Sequence, residues 1–151
     1  MKIKPIKQLK GVLNLPGDKS ISHRAIIFGS LAEGITEIKG FLMGKDCLST
    51  IQCFRQMGIP IDIHNEVIQI HGKGLDGLSA PVHSLDVGNS GTTIRLLSGL
   101  LSAQNFSSTI TGDHSIQKRP MKRIVEPLRQ MGALITGKEN GNFCPLHIKN
   151  S

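Results

Sequence analysis

Arg55-Gln-Met-Gly58 returns as Arg129-Gln-Met-Gly132, 74 residues later in a chain of 151. Upstream of each copy stands a second matched pair. Arg24-Ala-Ile-Ile-Phe-Gly-Ser-Leu31 and Arg95-Leu-Leu-Ser-Gly-Leu-Leu101 are offset by 71. Near-equal offsets, with the intervening elements in the same order, mark a duplicated unit of about 70 residues.

The pattern around the first copy predicts its elements. Ile21, Ala25, Phe28 and Ala32 fall on one helical stripe, which is expected to be buried, and Gly34 can end that helix. Ile35–Lys39 alternates like a strand. Leu48, Ile51, Phe54 and Met57 form a second amphipathic helix, closed by Gly58. Ile61 and Ile63, then Ile68 and Ile70, flank His64-Asn-Glu66 and read as a hairpin. The second copy opens on a strand near Val82–Val87. A helix follows over about Thr92–Ser102, then a strand at Ser108–Thr111. Pro120 suits the first turn of a helix over Met121–Met131, with Ile124, Val125, Leu128 and Met131 as its buried face. Pro127 removes a hydrogen bond there and predicts a kink. Two short strands finish the chain. Each copy reads strand, helix, strand, helix, strand, strand, so the fold class is α/β, built from repeated βαβαββ units.

Composition narrows the function. The chain is 38% hydrophobic and 19% charged, a globular balance. No apolar run nears the roughly 18 residues of a membrane span, and the basic start has no apolar core behind it, so no membrane role and no secretory signal are expected. The three cysteines, Cys47, Cys53 and Cys144, lack metal-type spacing and read as free thiols in a reducing cytoplasm. A net charge of +7 attracts anions. With no Trp or Tyr and five Phe, platforms for stacking nucleobases are scarce, and small phosphorylated or carboxylated substrates suit the chain better than nucleic acid.

Three loops gather Gly, Ser, Thr and basic residues. Pro16–Arg24 leads into the first helix, whose free N–H groups and positive potential suit an anion. Ser20 and Ser22 add hydroxyls, Lys19 a mobile charge and Arg24 a planar fork. On spacing alone, Asp18 or Ser20 reads equally as a plain helix cap and Arg24 as a surface charge. Gly88–Arg95 opens another helix. Gly88 and Gly91 admit close backbone approach, Asn89, Ser90, Thr92 and Thr93 can donate, and Arg95 repeats Arg24. It is neither a Walker loop nor GxGxxG. Gly112–Met121 sets Lys118 and Arg119 ahead of the Pro120 helix, where cations are disfavoured unless an anion lies between them. The six histidines are scattered without metal-ligand spacing; His23 and His114 sit in the anion loops. Asp18, Asp86 and Asp113 lie beside loops and read as caps, not as an acid–base pair.

Together these loops resemble the 5-enolpyruvylshikimate-3-phosphate synthases. The strings are LPGDKSISHRA (residues 15–25), GNSGTTIRLLSG (88–99) and GDHSIQKRPM (112–121), in the family's order and approximate spacing. The resemblance implies the inside-out α/β barrel of enolpyruvyl transferases, with two of the three units of one domain present. It implies transfer of the enolpyruvyl group from phosphoenolpyruvate to the 5-hydroxyl of shikimate 3-phosphate, a step of aromatic amino-acid synthesis, with no organic cofactor and no catalytic metal. Carried over by motif, Lys19 meets both substrates, Ser20 and Arg24 hold shikimate 3-phosphate, and Asn89, Gly91, Thr92 and Arg119 line the phosphoenolpyruvate side. Arg95 matches a motif arginine.

The chain departs from the family in extent. The third unit, its Ser/Ala-Gln segment and the second domain, which supplies the acidic residues, do not appear. Residues 1–17 resemble strands that join that second domain, and residues 18–151 a partial first domain with units at about 18–75 and 80–151. The expectation is therefore an N-terminal piece of an ordinarily monomeric enzyme, inactive by itself and prone to self-association. Some of Leu97, Leu100, Leu101, Ile124 and Leu128 should be less buried than their first-unit counterparts. Two alternatives are a UDP-N-acetylglucosamine enolpyruvyl transferase relative, which has Lys-Asn at the place of Lys19-Ser20 and a cysteine in the third loop, and a basic αβ module binding RNA.

Overall fold

The computed structural model describes residues 4–5 and 8–150. The first unit runs α1 (Lys19–Leu31), β1 (Glu33–Ile38), α2 (Lys45–Gln56), β2 (Ile61–His64), β3 (Val67–Lys73). The second runs β4 (Leu85–Asp86), α3 (Gly91–Ser102), β5 (Ser108–Thr111), α4 (His114–Gln117), α5 (Lys122–Gln130), β6 (Leu134–Gly137), α6 (Lys138–Gly141), β7 (Phe143–Lys149). Each unit has its own sheet, ordered β1-β3-β2 and β4-β5-β7-β6. β1, β2 and β3 correspond to β5, β6 and β7, with the same antiparallel pairings. β4 adds a parallel strand to the outer edge of β5.

The repeated Arg-Gln-Met-Gly closes a helix in the same way twice. Gly58 and Gly132 take positive φ past the ends of α2 and α5, where a side chain would be strained. Their amides bond the carbonyls of Arg55 and Arg129 at 3.0 Å. Each arginine then reaches over the turn to the start of the following strand. Arg55 Nε donates to the Ile61 carbonyl, and Arg129 Nε to that of Ile135, both at 2.9 Å. The motif is thus a clamp between the unit's second helix and its terminal hairpin.

The hairpin and α2 agree with the periodicity, and Gly58 and Gly132 close α2 and α5 as expected. In contrast, α1 stops at Leu31 and leaves Gly34 inside β1, and Pro120 precedes the α5 N-cap Met121 instead of lying in its first turn. Asn65 and Glu66, both at positive φ, make the two-residue turn. Several expectations are corrected. Ile21 and Phe28 lie at 60% and 66% exposure; the apolar stripe of α1 exists but faces outward. The inward face is instead Ser22, His23, Ile26, Gly29 and Ser30. Small residues there let α1 settle onto β3, with Gly29 against Thr36 and Ile70. Met131 is likewise exposed, because it is the C-cap of α5 and only Val125 of that helix is fully buried. The strand near Val82–Val87 shortens to Leu85–Asp86, the part that meets β5. α5 runs through Pro127 as a single element.

The expected strand at Val12–Leu15 is not formed. Residues 8–18 carry no strand, and Val12, Leu13 and Leu15 stand exposed with no ladder alongside. Most of the expected Lys2–Ile6 strand lies outside the described residues. The burial comparison holds in part. Leu97 and Leu101 are fully buried, while Leu100, Ile124 and Leu128 are half-buried where their counterparts Gly29, Thr50 and Phe54 are buried. No helix among the described residues is long and apolar enough to cross a membrane.

Candidate functional site

The starts of α1, α2 and α3 are packed together, and this positions the first two loops. Asp18 caps α1, its Oδ1 accepting the Ile21 amide at 2.7 Å. Ser90 caps α3, its Oγ accepting the Thr93 amide at 3.2 Å. Neither α1 nor α3 has an acidic residue in its first turn, so beyond the Asp18 cap their positive ends are uncompensated. Asp113 likewise caps α4, accepting the Ile116 amide at 3.0 Å, and Asp86 accepts the Gly88 amide at 2.8 Å in the turn after β4. Hydrogen bonds, first that from the Ser115 hydroxyl and then that from the Ile116 amide, hold Asp113 below its ordinary acid range.

The third loop delivers its arginine to the second. The Arg119 guanidinium lies over Gly91, so that a Cβ on Gly91 would stand 2.8 Å from Arg119 Nη1 and 3.8 Å from Arg95 Nη1. The missing side chain of Gly91 is therefore the seat of Arg119. Two guanidinium groups converge on the first turn of α3, against its dipole. Neither they nor Arg24 form an ion pair or a side-chain hydrogen bond among the described residues. Thr92 is half-buried in that turn and Asn89 exposed beside it. The arrangement is an anion seat: two cationic forks, a helix N-terminus and adjacent polar side chains.

On α1, Lys19, Ser20 and Arg24 are exposed. Lys19 Nζ is paired with the carboxylate of Asp46, in the first turn of α2. Of Lys19, Ser20 and Arg24, Lys19 alone is salt-bridged among the described residues, and no ion pair there involves Arg24, Arg95 or Arg119. Ser22, expected to be a free hydroxyl, is buried; it donates to the Asp18 carbonyl at 2.8 Å and accepts the Leu42 amide at 3.0 Å. It braces the loop from inside.

Sequence reasoning missed a buried polar chain behind the site. His23 Nδ1 is 2.7 Å from Thr50 Oγ1, which is 2.8 Å from Thr93 Oγ1, which donates to Ser90 Oγ at 2.7 Å. All four residues are almost fully buried. Burial first, and the Lys19 charge second, push the His23 pKa down, against an opposing pull from Asp46. Asp46 was also missed. Its one sequence signal is its place as the acid in the first turn of α2.

A cleft of about 590 Å³ adjoins the Asn89 side of this site, between α2 and the Gly88–Asn89 turn. It holds Asp86 and Asp113 beside Lys45 and no arginine, so it is poorly suited to an anion. The three cysteines are free and buried, and burial pushes the Cys53 thiol up to about 12.

A twice-repeated α/β unit thus carries an arginine pair on a helix N-terminus, chemistry of the class suited to a small anion. The sequence matches the family described as "EPSP synthase (3-phosphoshikimate 1-carboxyvinyltransferase)" over residues 3–151, and the chain belongs to that family. It is 55% identical over 149 residues to the 3-phosphoshikimate 1-carboxyvinyltransferase of Brevibacillus brevis, covering 99% of this chain and 35% of that protein. With that of Shouchella clausii it is 60% identical over 141 residues, covering 93% of this chain and 33% of the relative. The solved EPSP synthase of Acinetobacter baumannii superposes with a TM-score of 0.89 at 52% identity, over 93% of this chain and 32% of that one. The chain thus spans about a third of the length of these relatives.

Proposed function

We propose that this chain forms the first part of a 3-phosphoshikimate 1-carboxyvinyltransferase, joining the enolpyruvyl group of phosphoenolpyruvate to the 5-hydroxyl of shikimate 3-phosphate with release of phosphate. The observation that carries this reading is the Arg95–Arg119 pair seated on Gly91 at the start of α3, in no ion pair among the described residues. Each substrate brings a phosphate of about −1.5 to −2 charges and a carboxylate, so two such anions meet only where cations offset their repulsion. Arg119, with Asn89, Gly91 and Thr92, takes phosphoenolpyruvate. Ser20 and Arg24, exposed on α1, take shikimate 3-phosphate. Lys19 lies between the two groups and exchanges Asp46 for substrate oxygens. Arg95 backs Arg119, keeping the seat cationic.

The reaction protonates the phosphoenolpyruvate methylene as the 5-hydroxyl oxygen bonds the adjacent carbon. Loss of a proton from the methyl group and departure of phosphate then restore the double bond. The family resemblance implies that acidic residues of a second domain move these protons, while Asp18 and Asp113 here cap helices and Asp86 accepts the Gly88 amide. The protein works in a reducing cytoplasm, which the three free buried thiols support. The test is an NMR titration of the 151-residue chain with shikimate 3-phosphate. Weak, salt-sensitive binding of about millimolar affinity, near −4 kcal/mol, should move the amides of residues 18–24 and 88–95 first. Shifts confined to the hairpin at 60–71 would refute the assignment.

A further inference from the structure

We propose that His23 is a positioning residue of the anion site, a neutral imidazole whose Nδ1–H starts a one-way hydrogen-bond chain through Thr50, Thr93 and Ser90 that sets the starts of α1, α2 and α3 against one another. The proposal rests on the reading that these helix starts seat the two substrates.

The direction of the chain follows from its last links. Thr93 Oγ1 has two acceptors on its far side, Ser90 Oγ at 2.7 Å and the Asp46 carbonyl at 3.4 Å. Its single proton goes to one of them, so toward Thr50 it presents a lone pair. The Thr50 proton fills that place across 2.8 Å. Thr50 Oγ1 then needs a donor, and His23 Nδ1 at 2.7 Å supplies it. Nε2 is left bare, and it is the ring nitrogen buried without a partner. The opposite tautomer would turn each hydroxyl around, give up the Thr93 contact with the Asp46 carbonyl and bury an unpaired N–H at Nε2. The imidazolium would bury the same unpaired N–H beside Lys19. The charges acting on the ring are Lys19 of its own helix and Asp46 of α2, and α3 contributes the Thr93 and Ser90 hydroxyls to the chain.

The chain joins the parts that matter for binding. His23 lies one turn after Lys19, and Thr50 one turn after Asp46. Thr93 stands in the turn that carries Gly91, where Arg119 sits. Because each hydroxyl both donates and accepts, the three helix starts hold one spacing, and the Lys19 side stays in register with the Arg119 side.

Imidazole ¹⁵N spectra of the chain test this without ligand. His23 should show a protonated Nδ1 and a bare Nε2 at pH 7, and should take up its second proton only below the ordinary 6.5. A dominant Nε2–H tautomer, or ordinary titration near pH 6.5, would overturn the proposal even if no variant folds. Thr50→Val should let the second tautomer appear, shift the amides of residues 90–93 and weaken inorganic phosphate binding about tenfold. Thr50→Ser should restore all three. A folded Thr50→Val chain with unmoved 90–93 amides would refute the coupling. Normal tautomer and amide behaviour, with no phosphate effect at residues 88–95 in the parent chain, would refute the site reading and with it the positioning role.

Discussion

The two units share a frame and differ in what they expose. The Arg55 and Arg129 clamps, the glycine-closed helices and the antiparallel sheets coincide. Yet α2 buries Thr50, Ile51, Cys53 and Phe54, whereas its counterpart α5 fully buries Val125 alone. The outward stripe of α1 is Ile21, Ala25, Phe28 and Ala32; the equivalent positions of α3 are Thr92, Leu96, Gly99 and Ala103. The second unit also inserts α4 between its second strand and second helix, and that insertion delivers Arg119. The two units thus share a basic helix start, with Arg24 on α1 and Arg95 on α3, and only the second unit adds a further arginine, Arg119, to it.

The largest expected contrast is in the cores of the paired helices. Phe54→Ala removes a fully buried ring and should cost about 3–5 kcal/mol. Leu128→Ala, at the equivalent but half-buried position, should cost about 1–2 kcal/mol. Urea unfolding monitored by circular dichroism measures both. Equal costs would show that α5 is as well packed as α2 and would dissolve the contrast.

Next comes the arginine that the second unit gained. Arg119→Ala should weaken phosphoenolpyruvate binding at least tenfold, the scale of losing a charge-assisted bond of about 1.5–3 kcal/mol, while Lys118→Ala changes it little. Calorimetry at low salt separates them. An equal loss from both variants would mean that general positive charge, not the seat on Gly91, binds the anion.

These two contrasts also show why the sequence was only partly readable. The repeat, the hairpin and the glycine-closed ends of α2 and α5 were legible because periodicity and glycine placement act locally. The inner face of α1 was not. That helix is apolar on two sides, and contact with β3 favours the side with Gly29 and Ser30, where backbones come closest. The loop strings identified Lys19, Arg24, Gly91 and Arg119, but the seating of Arg119 on Gly91 spans 28 residues and needed the fold. Asp46 and the His23–Thr50–Thr93 chain gave still less signal, because single polar residues on amphipathic helices are ordinarily solvated.

The shared clamp sharpens the comparison from the other side. Arg55→Ala and Arg129→Ala each lose paired bonds to one carbonyl and should each cost about 1–2 kcal/mol. Arg129 also donates to the Asn140 carbonyl at 3.0 Å, so its loss should be slightly the larger. A large cost at one site and none at the other would show that the motif survives by sequence alone and not as a working clamp in both units.

The smallest effect on folding should come from the outward stripe of α1. Phe28 is 66% exposed, so Phe28→Ser removes little buried surface and should change unfolding free energy by less than about 0.5 kcal/mol. Ile21 lies two turns away on the same side of the helix, and the pair presents apolar surface to solvent. The second unit has Thr92 and Gly99 at those places and should not drive association. The parent chain is therefore expected to self-associate as its concentration rises, and Phe28→Ser to sediment as a monomer at concentrations where the parent does not. Sedimentation velocity across a concentration series distinguishes the outcomes. A parent chain that stays monomeric throughout would show that this stripe does not drive association, and that the exposure of α1 has no consequence for the isolated chain.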